Sequence, residues 1–252
     1  MMTDCEIRNR SNEKIDHTFH PGVHVDTLVI LAHGVTGNKD RPHLVALAEG
    51  LSALGWPCLR ISYSGNGESE GRFEDSCITK EISDLQAVLD GIPHATKVAY
   101  VGHSMGGAVG VLTAARDLRI RTLVSLAGMT HTAAFVEREF GEITPGHGFM
   151  WDDETSLLSV TYVDDLTSIQ DTLSAAEAVI QPWLLIHGDA DDLVPLQDGR
   201  DAFLAATCEK QWLEIPNAGH SFNEASYPQL VTTMDKWFKA HLGQEIPHTG
   251  SR

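Results

Sequence analysis

The chain has 252 residues, a length that fits one large α/β domain. Lys and Arg number 18 against 35 Asp and Glu, a formal charge of −17, so a broad basic surface for nucleic acid or anionic lipid is excluded by sign. Apolar residues make up 42% and charged residues 21%, enough for a core and far from a disordered composition.

The N-terminus, Met1-Met2-Thr3-Asp4-Cys5-Glu6, carries acid and no apolar segment, so no secretory signal is expected. No apolar run approaches the ~20 residues of a membrane span. Cys5, Cys58, Cys77 and Cys208 lie far apart with no C-x-x-C pair, which points to reduced thiols in a cytoplasmic protein rather than a disulfide framework, zinc site or redox motif. Residues Cys5 to Val25 read as an antiparallel edge hairpin with Pro21-Gly22 as its turn. Six β-rich runs follow, at Thr27–Ala32, Cys58–Ser62, Lys97–Gly102, Thr122–Ala127, Trp183–His187 and Gln211–Ile215. Cys58 is expected in the core. Between the runs lie helical patterns, clearest in Ile78, Ile82, Leu85, Val88 and Ile92 and in Tyr227, Leu230, Val231, Met234, Trp237 and Phe238. This alternation predicts an α/β fold with a mostly parallel central sheet and helices on both faces. The rhythm breaks at 129–180, where Phe135, Phe140, Phe149, Trp151 and Tyr162 gather among Gly, Pro and acidic residues. The expectation is a core of residues 1–128 and 181–252 with a small cap inserted at 129–180.

Three segments carry chemistry. Gly102-His103-Ser104-Met105-Gly106 is a G-x-S-x-G between a strand-like and a helix-like run, the setting of a strained turn that lifts a serine hydroxyl clear of a sheet. Its bland reading is a glycine-rich turn with an incidental serine. A serine nucleophile needs a base, and His220, in the loop between the last strand and last helix, is placed for it. An acid that orients the base could be Asp189, Asp191 or Asp192, all in the loop after Trp183–His187. Acyl transfer also needs two backbone N–H donors for the oxyanion: Met105, after the serine, and Val35 in Ala32-His33-Gly34-Val35-Thr36-Gly37. His33, His103 and His187 are expected to be satisfied structural histidines. No second acidic or His cluster converges with the acidic loop, so no metal and no cofactor is expected.

Together with Tyr63-Ser64-Gly65-Asn66-Gly67-Glu68-Ser69, these motifs resemble the α/β-hydrolase superfamily over nearly the whole chain. Within it they look like the serine esterases that include cinnamoyl (feruloyl) esterases, monoglyceride lipases and serine aminopeptidase-like hydrolases. The resemblance implies the chain order Ser104, Asp191, His220, with Asp191 chosen because the loop reads H-G-x-x-D-x-x-V-P as in those relatives. The acidic surface and the short insertion at 129–180 point to a soluble ester substrate with a short-chain or aromatic acyl group, with Trp151 and Tyr162 as candidate walls of the pocket. A lipase, a peptidase or amidase, and a ligand-binding protein without turnover are the rival readings. The partner expected is a small-molecule ester, with no nucleic acid and no membrane, for a monomer or homodimer.

Overall fold

The computed structural model describes residues 6–243; Cys5 and the rest of the stretch Met1–Cys5 lie outside them. The chain opens with β1 (Ile7–Arg8), β2 (Lys14–Ile15) and β3 (His17–His20), then alternates: β4 (Thr27–Ala32), α1 (Pro42–Ala53), β5 (Cys58–Ile61), α2 (Ile78–Asp90), β6 (Lys97–His103), α3 (Met105–Ala114) and β7 (Ile120–Leu126). Three helices follow without an intervening strand, α4 (Thr132–Phe140), α5 (Val160–Ile169) and α6 (Leu173–Ala178). The alternation then resumes with β8 (Trp183–Gly188), α7 (Leu196–Ala205), β9 (Lys210–Ile215) and α8 (Tyr227–His241).

The main sheet has seven strands in the order β3-β5-β4-β6-β7-β8-β9, parallel throughout except for the antiparallel pair β3–β5. Pleating sends alternate residues to opposite faces. Val29, Leu31, Val101, Val124 and Ile186 bury against α1 and α8 through Leu44, Leu47, Leu230 and Phe238. Ile30, Tyr100, Leu123 and Leu185 bury on the other side with Leu85, Val88 and Val109 of α2 and α3. Full burial of each such side chain contributes about 1.5–3 kcal/mol, which makes the two-sided core the main source of stability. Cys58 is fully buried within it.

The N-terminal expectation needs correction. The hairpin is β1 with β2, a separate two-stranded sheet, and its turn is made by Asn9 and Asn12. Asn9 Oδ1 accepts from the N–H groups of Ser11 and Glu13, while Asn12 adopts φ 62°. Pro21-Gly22 closes no hairpin; it follows β3, whose partner is β5, with His17 opposite Ile61. A Cβ at position 22 would meet Pro57 N at 2.3 Å, so this glycine serves a close approach of backbones.

Candidate active site

The site is assembled at the C-terminal ends of β4, β6, β8 and β9, where the loops of a parallel sheet converge. Ser104 sits in the turn from β6 to α3 at φ 56° and ψ −121°, a backbone conformation costing on the order of 1–3 kcal/mol for a non-glycine residue. Three hydrogen bonds hold it there: Ser104 N–H to Leu126 O at 2.9 Å, and Gly107 N–H and Met129 N–H to Ser104 O at 2.9 and 3.0 Å. Small residues let the turn pack. A Cβ on Gly102 would stand 2.2 Å from Gly106 O, and one on Gly34 would stand 2.6 Å from Ser104 Cβ. Ser104 is 1% exposed, and its Oγ has no hydrogen-bond partner among the described residues.

Of the three carboxylates in the loop after β8, Asp191 meets His220. Its Oδ2 accepts from His220 Nδ1 at 2.9 Å. His187 Nε2 lies 3.2 Å from the same oxygen and donates to Val194 O. Oδ1 accepts from the N–H groups of Leu193 and Val194 at 3.0 and 2.9 Å. Burial alone would raise the Asp191 carboxyl, but the bonds from His187 and His220 outweigh it and hold the group well below the usual carboxylate range. Asp189 instead accepts from Asn217 N–H at 2.6 Å, and Asp192 lies exposed at the cavity wall. With Nδ1 donating to Asp191, His220 keeps Nε2 as its one proton acceptor.

His103 Nε2 donates to the carbonyl of His220 at 2.9 Å, and its ring lies 4.7 Å from that of His220. His43 of α1 extends this row of tilted rings, 4.3 Å from His103. Burial, with His220 nearby, pushes His43 down to about 4; burial, with His43 and His220 nearby, puts His103 well below its ordinary value. His33 also falls to about 4 through burial, with Nδ1 donating to Gly34 O and Nε2 accepting from Tyr63 N–H. His33, His103 and His187 thus have the satisfied roles expected of them, and His187 additionally braces Asp191. The contribution of His43 escaped the sequence because nothing in the α1 pattern distinguishes it from a helix-surface histidine.

A cavity of about 480 Å³ opens over these groups, lined by Ser104, His220, His43, Val35, Glu139 and Trp151 among others. Met105 is the first residue of α3, so its N–H has no acceptor within the helix. Val35 lies in the loop after β4 on the cavity wall. The two residues expected as pocket walls separate: Trp151, 40% exposed, lines this cavity, whereas Tyr162, 2% exposed, does not. Phe135, Phe140, Trp151 and Tyr162 instead form ring contacts with one another, giving the segment between β7 and β8 its own small core. Among the described residues, no group of three or more His, Cys, Asp or Glu could hold a metal ion, and no helix is long and apolar enough to cross a membrane.

A strained serine at a strand-to-helix turn, under a sheet of this order, defines a class, and comparison with known families agrees. The alpha/beta hydrolase fold family matches residues 27–159, and the chain belongs to it. Among curated proteins, YfhR of Salmonella typhimurium is 26% identical over 204 residues, covering 76% of this chain and 63% of that protein. Rv2307c of Mycobacterium tuberculosis is 29% identical over 199 residues, covering 77% of this chain and 62% of that protein. The chain therefore spans less than two thirds of the length of these relatives. Est1E of Butyrivibrio proteoclasticus, solved with ferulic acid bound, superposes with a TM-score of 0.81 at 21% identity, covering 95% of this chain and 100% of that one. At that identity the likeness is one of fold.

Proposed function

We propose that the protein is a serine hydrolase of carboxylic esters acting through an acyl-enzyme on Ser104. The observation that carries this reading is the Asp191–His220 hydrogen bond at 2.9 Å beside a cavity that Ser104 also lines. In the proposed cycle His220 Nε2 takes the Ser104 proton as Oγ attacks the ester carbonyl, and returns it to the leaving alcohol. The buried Asp191 carboxylate holds the Nδ1–H tautomer and stabilises the imidazolium. The oxyanion is met by the N–H groups of Met105 and Val35, the former backed by the N-terminus of α3. Water then attacks the acyl-enzyme, with the same imidazole as base.

The substrates proposed are small, soluble, uncharged esters with short-chain or aromatic acyl groups. A cavity of about 480 Å³ with an aromatic wall at Trp151 and acidic neighbours Glu139 and Asp192 supports compact, uncharged substrates. Est1E, whose structure holds ferulic acid, adds weight to the aromatic option. The test is a profile of kcat/KM over p-nitrophenyl esters of rising chain length with methyl ferulate alongside. Each methylene that fits is expected to add up to ~0.8 kcal/mol, and the first that does not fit reverses the trend. A kcat/KM that climbs through long-chain esters, or that requires micelles, would contradict the compact pocket.

A further inference from the structure

A second, smaller void of about 10 Å³ lies against the catalytic cavity, with room for a single water-sized group. Val35 and Thr36 line both spaces, and Met105, next to Ser104, lines the smaller one. The rest of its lining includes Glu81 of α2, Tyr162 of α5, Ser76 and Ser159. Glu81 and Tyr162 are 1% and 2% exposed, and among the described residues neither Glu81 Oε2 nor Tyr162 Oη has a hydrogen-bond partner. The polar groups around them are used. Asp84, one turn along α2, accepts from Asn9 and Ser64; Ser76 Oγ donates to Ser64 O; Ser159 Oγ accepts from Tyr162 N–H. Each orphaned buried polar group carries a desolvation penalty, and Leu and Phe would fill the same space without it. Two side chains that each carry an orphan oxygen thus line one void beside Ser104, and a small polar group placed there could satisfy both.

We infer that this void is a subsite for the uncharged hydroxyl at the end of a short acyl group, gripped by Glu81 and Tyr162. The inference rests on the Ser104 reading and names its substrate class: esters of short hydroxy acids. A hydroxyl donates once and accepts twice, which matches a phenol and a carboxyl that can each do both. Burial, with the carboxylates of Asp84 and Asp165 nearby, pushes Glu81 well above the ordinary carboxyl range and so keeps it in the form that donates. A carboxylate tail would face that acid and those negative neighbours, and an ammonium would bring three donors to two orphan oxygens.

The test compares methyl ω-hydroxyalkanoates of rising length with methyl alkanoates of equal heavy-atom count, reading the ratio of kcat/KM within each protein so that general losses cancel. At the length that reaches the void, the hydroxy ester is expected to lead by at least about tenfold in the wild type. Tyr162→Phe and Glu81→Leu should bring that ratio toward one, whereas Glu81→Gln, which keeps a donor and an acceptor, should retain most of it. A ratio near one at every length, a ratio untouched by Tyr162→Phe, or a greater preference for the ω-amino ester would overturn the inference. Calorimetric binding of the same ester pairs to Ser104→Ala separates the two readings. A hydroxyl preference there with no wild-type turnover would sink the acyl-enzyme and keep the subsite; turnover without the preference would do the reverse.

Discussion

At Ser104 the chain holds a non-glycine residue at φ 56° in a place where strain puts a hydroxyl over the sheet. If that hydroxyl is the nucleophile, Ser104→Ala should cost on the order of 10⁶ in kcat while leaving the melting temperature close to that of the wild type. Retention of a tenth of the turnover would exclude the assignment. For the acid, Asp191→Asn should lower kcat by roughly 10⁴, since an amide neither fixes the imidazole tautomer nor stabilises its cation. Asp189→Asn and Asp192→Asn should have far smaller effects, and ranking the three by kcat decides the matter. The G-x-S-x-G motif and the loop position of His220 were legible because the chemistry ties residue type to a turn. Three neighbouring aspartates were not separable by spacing alone, because which one reaches His220 depends on the path of the loop after β8. Glu81 was hidden for a different reason: α2 announces its buried face through apolar residues, and an acid on the same face reads as solvated until the packing is known.

Among the elements, the β6–turn–α3 unit is the least tolerant of added volume. Gly102→Ala should destabilise the fold by more than about 3 kcal/mol in urea denaturation, because its Cβ would lie 2.2 Å from Gly106 O, a backbone atom that cannot give way. A loss below 1 kcal/mol would show that the turn has slack. Trp151→Ala should act on substrates, moving the optimum toward bulkier esters, and should also lower stability, since Trp151 lines the cavity and packs on Phe135 and Phe140. Tyr162→Ala should behave as a core truncation and lower the melting temperature clearly. The strand alternation was legible because two-sided burial leaves continuous apolar runs such as residues 28–32. The two-residue strands β1 and β2 carry no period at all, so the Asn9–Asn12 turn gives a weaker signal in the sequence than Pro21-Gly22.

For the molecule as a whole, buried neutral histidines set the response to acid. His33 and His43 fall to about 4 in the folded protein, chiefly through burial, against an ordinary value near 6.5. The unfolded chain therefore binds protons first as pH falls from about 6.5 to about 4, and the folded state loses stability across that window, by up to about 3 kcal/mol for each group. His103, also well below its ordinary value, adds to this loss, while Glu81, pushed up by burial, opposes it. Denaturant midpoints at pH 7, 6, 5 and 4.5 should fall, and a flat profile would contradict a dominant contribution from the histidines. The proposed chemistry depends on one strained serine, on a glycine-packed turn, activated by a pair from two other loops. It is tested most directly by treating the protein with a fluorophosphonate and following intact mass and peptide map. One phosphonyl adduct per chain is expected, on Ser104, absent in Ser104→Ala and formed at least about a hundredfold more slowly in His220→Ala. Labelling on another residue, or at an undiminished rate without His220, would contradict it.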